Sequence, residues 1–266
     1  MQLIDSHAHL YAKEFDADRS EVIRLAKAAG VQAVILPNID NDSIEAIHEL
    51  CDREPDFAFP MIGLHPTCVD GDYIKVMGKI EATLTKRKYY AIGETGIDLY
   101  WDKQFYKEQK IVFEEHLRWS IDLQLPVVIH VRNSFHETLD CIYKAGANCL
   151  KGVFHCFGGT TEQWNEISKL TSFLVGIGGI VTYKHNVLAD TLKYIPVERI
   201  VLETDSPYLP PVPYRGKRNE PAFIIETAKK VAACYAMKTE KLAMKTTQNT
   251  VDLFAIPVKN VFRENT

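Results

Sequence analysis

His7, His9, Glu94, His130, His155 and Asp205 are residues of metal-ligand type, each set in a short apolar run: LIDSHAH, YYAIGE, VVIH, GVFH and IVLETD. Imidazoles and carboxylates at the ends of parallel strands can converge on one point, and a divalent-metal site asks for that arrangement. His7 and His9 lie one residue apart, so on a strand both rings face the same side. Imidazole mixed with carboxylate suits Zn²⁺, Ni²⁺, Mn²⁺ or Fe²⁺, whereas Mg²⁺ prefers more oxygen. One or two divalent ions, Zn, Mg, Mn or Ni, are therefore the expected cofactor.

A single catalytic ion usually takes three protein ligands plus water, so the full set suits two ions that share a carboxylate. Glu94 is the natural bridge because its strand falls between the two halves of the set. His7, His9 and Asp205 would then serve one ion, and His130 and His155 the other. Two ions about 3.5–4 Å apart can clamp the attacking and leaving oxygens of a displacement. Asp205 and Glu94 are the catalytic candidates, Asp205 as a ligand that also accepts the proton of the attacking water. Glu203, two residues before Asp205, is placed to orient a histidine or lysine.

The elements that must hold these groups alternate between short β-rich runs and longer helical stretches. Strands are predicted at Leu3–Ser6, Ala33–Leu36, Ala58–Gly63, Tyr90–Glu94, Val127–Val131, Gly152–His155, Phe173–Ile177 and Ile200–Glu203. Between them, Val22, Leu25 and Ala29 share one helical face, and Phe113, Leu117 and Ile121 share another. Ser134-x-x-Glu137 and Thr160-x-x-Gln163 read as capping boxes. Pro221 suits the first turn of a helix capped by Asn219 or Glu220, and two closing helices are expected between Pro221 and Phe254. Repeated strand–helix–strand alternation predicts a parallel sheet closed into a (β/α)₈ TIM-type barrel, one domain over residues 1–266.

Spacing tests that prediction. Intervals of 58, 29, 36, 25 and 50 residues separate His7, His65, Glu94, His130, His155 and Asp205. They approximate two, one, one, one and two steps of the roughly 31 residues per βα unit in such a barrel. The ligand set therefore maps to the C-terminal ends of the strands, the face on which barrel active sites lie.

Composition is that of a globular enzyme: 266 residues, 46% hydrophobic, 25% charged, formal net charge −4. A polyanionic substrate must then meet a local basic patch. Six cysteines show no CxxC pairing and predict no disulfide framework. No signal-like segment precedes LIDSHAHL and no apolar run reaches the ~18–20 residues of a membrane span, so a cytoplasmic protein is expected, with a monomer as the default state.

Seven segments together resemble the TatD family of metal-dependent deoxyribonucleases, within the amidohydrolase-like barrels. They are DSHAHL (5–10), GLHP (63–66), GETGID (93–98), IHVR (129–132), HCFGG (155–159), ETDSPYLPP (203–211) and RGKRNEP (215–221). They span nearly the whole chain in the family's order. The resemblance implies a mono- or binuclear divalent-metal site, phosphodiester hydrolysis of the 3′–5′ exonuclease type, and DNA, single-stranded or at 3′ ends, as substrate. It gives ligand roles to His7, His9, Glu94, His130, His155 and Asp205. Two departures stand out: Thr67 where the family often has a second histidine, and Asn133 where it often has aspartate.

Substrate contacts are expected from His65, Arg132, Arg215 and Lys217. Arg132 shares the face of His130, while Arg215, Lys217 and Arg218 follow strand eight, where barrels often bind phosphate. Lys184 and His185 follow strand seven, and Tyr183, Tyr208 and Tyr214 offer faces for an unpaired base. Tyr100 and Trp101 either wall the pocket or pack plainly. The rival on the same barrel is an ester or amide hydrolase, such as a lactonase or a D-aminoacyl-tRNA deacylase. Those relatives often bridge their metals with a modified lysine on strand four, where this chain has Glu94.

Overall fold

The computed structural model describes residues 1–101 and 103–258. The apolar runs form β1 (Leu3–Asp5), β2 (Val31–Leu36), β3 (Ala58–Ile62), β4 (Ala91–Asp98), β5 (Val127–Arg132), β6 (Gly152–Phe154), β7 (Phe173–Ile177) and β8 (Ile200–Leu202). Each pairs in parallel with the next, in sequence order. The seam between β8 and β1 is closed just beyond the strands. Ser6 N–H donates to Leu202 O (3.0 Å), Asp205 N–H to His7 O (2.9 Å) and His9 N–H to Ser206 O (2.8 Å). The Asp5 carboxylate strengthens the seam by accepting from the Thr204 N–H at 2.9 Å and from its hydroxyl. Burial pushes the Asp5 carboxyl up to about 8, although the Thr204 and His7 hydrogen bonds oppose it. The expected (β/α)₈ barrel is the fold observed.

The two faces of each strand divide the core. Ile4, Ala33, Ile35, Phe59, Met61, Ala91, Val128, Val153 and Val201 fill the barrel interior and meet Leu253 and Phe254 from the final helix. Alternate residues, such as Val34, Leu36, Val127, Ile129 and Val175, pack outward against the helices. The helices are α1 (Arg19–Ala28), α2 (Ser43–Arg53), α3 (Tyr73–Glu81), α4 (Tyr106–Leu123), α5 (Phe135–Ala145), α6 (Thr161–Ser168), α7 (Leu188–Thr191), α8 (Ile224–Cys234) and α9 (Thr239–Phe254). Among the described residues no helix is long and apolar enough to cross a membrane.

Several local expectations need correction. α1 buries Val22, Ile23 and Ala26 and leaves Leu25 38% exposed, so its core face is rotated from the expected one. The capping box at Thr160/Gln163 forms, but Ser134 gives its hydroxyl to Ile97 O instead of capping α5. As expected, Pro221 opens a helical turn with Glu220 at its N-cap; the turn, Pro221–Phe223, is 3₁₀ and leads into α8. Strand β4 runs four residues past Glu94, because Thr95–Asp98 continue to pair with Ile129–Arg132. Most of the last dozen residues, which carry no pattern of their own, lie outside the described residues.

His116 on α4 anchors the strand end that precedes the site. Its Nδ1–H donates to Val112 O (2.6 Å) and its Nε2 accepts the Leu64 N–H (3.0 Å), which requires a neutral ring. Burial pulls its pKa from 6.5 down to about 4. A histidine depressed in the folded state contributes stability that is complete above the unfolded value and lost as pH falls towards the folded one. Stability from this residue should therefore fall by about 3 kcal/mol between pH 6.5 and 4. Urea midpoints for wild type and His116→Gln across that window test this. The variant should be weaker at pH 7 yet show a shallower acid slope, and parallel slopes would refute the assignment.

Candidate metal centre

Alternation alone does not explain how Glu94 reaches the interior. Ala91 already points inward on β4, so strict period-two geometry would send Glu94 outward. The β4–β5 register shifts between Ile92 and Thr95, where three steps on β4 match two on β5. The extra residue reverses the parity, so Glu94, Gly96 and Asp98 share the face of His130, which neighbours Gly96 in the ladder. His130 itself continues the inward face of Val128. His155 follows β6 directly, and Asp205 stands three residues past β8 in a left-handed conformation, φ 57°.

These placements bring all six expected ligands together around Glu94. Its Oε2 lies 3.1 Å from His7 Nε2 and 3.9 Å from His9 Nε2. Its Oε1 lies 2.9 Å from His130 Nδ1, 3.3 Å from His65 Nε2 and 3.7 Å from His155 Nε2. Asp205 Oδ1 faces the same space, 3.4 Å from His9 Nε2 and 3.8 Å from His7 Nε2. The His7 and His155 rings stack at 3.6 Å. Asp205 thus turns its carboxylate to the histidines, and among the described residues it forms no side-chain cap of the following turn.

Electrostatics follow from this crowding. Burial pushes the Glu94 carboxyl up, but His65, His155 and His7 outweigh it and hold the group well below the usual range. Burial disfavours charge on His155, yet Glu203, Glu94 and Asp205 carry its pKa up to about 10. The carboxylates therefore draw positive charge into the cluster, and a divalent cation satisfies the same field without protons. Both ring nitrogens of His7 are buried and lack a well-formed hydrogen bond among the described residues. Buried polar atoms seldom stay unpaired without a reason. The residues present fit a divalent ion: His7, His9 and Glu94 form one cluster of donors within 4.8 Å, and His65, Glu94 and His130 form another. Glu94 is common to both, as a bridge would be.

Two carboxylates hold the histidines from behind. Glu203 Oε1 lies 3.0 Å from His155 Nδ1 and accepts the Cys156 N–H at 2.6 Å. Gly176 makes room for it, since a Cβ there would sit 2.1 Å from Glu203 Oε2. Asp98 Oδ2 lies 3.0 Å from His130 Nε2, so His130 presents Nδ1 to Glu94. Such partners set the tautomer and aim of a ligating ring. Glu203 was expected in this role. Asp98 was not, because β4 was expected to end at Glu94, four residues before it.

The cluster floors a cavity of about 460 Å³ whose wall includes Ile39, Thr67, Cys68, Trp101, Arg132, Tyr208 and Leu209. Of the expected substrate residues, His65 and Arg132 belong to it. His65 sits deeper than a peripheral contact, with Nε2 3.2 Å from His130 Nδ1 and Nδ1 2.7 Å from the Thr67 hydroxyl. Arg215 instead stacks over Tyr183 at 4.0 Å and lines a separate cleft with Lys184 and His185. Lys217 is exposed and lines neither. Arg218 is engaged elsewhere, paired with Asp18 and Glu220.

Residues 4–255 match the family model described as TatD related DNase. YabD of Bacillus subtilis, named as an uncharacterized metal-dependent hydrolase, is 36% identical over 96% of this chain and 99% of its own. A protein of Pantoea vagans named 3′-5′ ssDNA/RNA exonuclease TatD is 28% identical over 96% of this chain and 100% of its own. The crystal structure of YJJV, a TatD homolog from Escherichia coli K12, superposes with a TM-score of 0.90 at 25% identity, covering 96% and 98% of the two chains. The chain therefore belongs to the family of TatD-related DNases.

Proposed function

We propose that the protein is a metal-dependent phosphodiesterase, a deoxyribonuclease that trims single-stranded DNA from its 3′ ends, acting as a cytoplasmic monomer. The observation that carries this reading is the Glu94-centred donor cluster at the floor of a cavity walled by Arg132. The Pantoea relative, named a 3′-5′ ssDNA/RNA exonuclease, supports a single-stranded nucleic acid as substrate and the 3′–5′ polarity. His7, His9, Glu94 and Asp205 would hold one ion, and His130, His155 and the shared Glu94 the other. When bound, such ions polarise a phosphoryl oxygen and lower the pKa of water towards 7.

The chain's own residues do the rest. Arg132 pairs with a non-bridging phosphoryl oxygen and stabilises the charge that builds there. As the water oxygen bonds to phosphorus, Asp205 takes the water's proton, the P–O ester bond breaks with its electron pair, and the departing oxygen is protonated from solvent. His65 lies beside Glu94 and His130, within reach of the phosphoryl group. Asp98 and Glu203 keep His130 and His155 aimed, and Arg215 and Lys217 meet phosphates farther along the strand.

A matrix of substrates against metals tests the proposal: single-stranded DNA, RNA, aminoacyl-tRNA and small esters, each with Mg²⁺, Mn²⁺ and Zn²⁺. Single-stranded DNA should be cleaved to mononucleotides with at least one metal and not in chelator. Preferential hydrolysis of the esters or of aminoacyl-tRNA would overturn it.

A further inference from the structure

Two large aromatic side chains stand in solvent at the rim of the metal cavity. Trp101 is 69% exposed and Tyr100 54% exposed, and their rings meet edge to face at 5.0 Å and 87°. Exposed aromatic area of this size forgoes the transfer free energy of burial, and beside a polar cavity it marks a contact surface. The rim is built and not loose. Asp98 Oδ1 accepts the Tyr100 N–H at 2.9 Å and the Trp101 N–H at 3.3 Å. The other oxygen of that carboxylate is the one that holds His130. One side chain therefore ties the aromatic rim to the metal cluster.

Arg132 completes the rim. Its guanidinium lies 3.9 Å from the centre of the Tyr100 ring and 5.2 Å from that of Trp101. Tyr100 thus supports the arginine, and the more exposed indole of Trp101 is left beside a cation that suits a phosphate. We infer that Trp101 is a stacking subsite for an unpaired nucleobase adjoining the phosphodiester held at Arg132. This rests on the phosphodiesterase reading of the cavity. A base inside a duplex has both faces covered, so only a splayed base can reach the indole. The subsite selects single strands and tolerates every base, because each presents a π face.

The test is binding of a fluorescein-labelled phosphorothioate oligothymidylate, resistant to cleavage, with Mg²⁺ present and followed by anisotropy. Trp101→Ala should raise Kd by about 5-fold or more, and Trp101→Phe should keep most of the affinity. A strand of the same length with abasic residues should bind wild type more weakly and bind Trp101→Ala no worse than the normal strand does. The idea is overturned by unchanged binding in Trp101→Ala, by an equal loss on normal and abasic strands, or by no binding of wild type. Cleavage of ordinary DNA is scored separately. Base-dependent binding without cleavage under any metal leaves the subsite standing and removes the catalytic reading. Cleavage with no base-dependent effect of Trp101→Ala removes the subsite alone.

Discussion

Glu94→Ala should lower metal-dependent turnover by more than about 10³-fold while the barrel stays folded. Removing one donor that stabilises transition-state charge costs about 10²–10³ in rate. Glu94 does more, since its two oxygens face His7 and His9 on one side and His65, His130 and His155 on the other. Its loss should take both ion sites at once, so bound metal counted by mass spectrometry should fall with activity. Glu94→Gln keeps the volume and is the control for packing: it should fold normally and remain nearly as inactive. A folded Glu94→Ala protein with turnover within about tenfold of wild type would remove Glu94 from the centre.

Stripping metal should lower the melting temperature by about 5–10 °C, and adding it back should restore the loss. Ion binding to the folded state alone stabilises by about 2.7 kcal/mol when free ion is a hundredfold above Kd, and domains of this size move a few degrees per kcal/mol. The physical origin is the concentration of carboxylates around the cluster. Glu94, Glu203 and Asp98 are buried, as is most of Asp205, and histidines are their main counter-charges. Calorimetry with chelator and with titrated Mn²⁺ or Zn²⁺ reads the shift. An unchanged melting temperature across that series would show that the donors do not bind ions in the folded protein.

The sequence made the barrel and its cluster of histidines and acids readable for specific reasons. Inward positions of parallel strands are apolar almost throughout, so a histidine or acid that ends such a run stands out. The HxH pair and HCFGG are of that kind. Other features depend on pairing between segments far apart and leave no local trace. The register shift that turns Glu94 inward arises between β4 and β5, and the apolar run before Glu94 looks the same with or without it. Asp98 was hidden because β4 was expected to end at Glu94. The diversion of Ser134 to Ile97 O is likewise tertiary, since any Ser-x-x-Glu pattern offers the cap. Leu25 shows the limit of a three-residue periodicity, which leaves the direction of a short helix face uncertain by a residue.

The closure of the barrel has a temporal meaning. His7 and His9 belong to the first strand's end, and Asp205 to the last, and the seam joins residues 199 apart in the chain. At 5–20 residues per second, the ribosome delivers the second half of that seam about 10–40 s after the first. Throughout that interval the nascent polypeptide carries the two N-terminal histidines without the aspartate that completes their cluster. The cluster can therefore assemble only after Asp205 has been made, and shorter N-terminal fragments of the chain lack it.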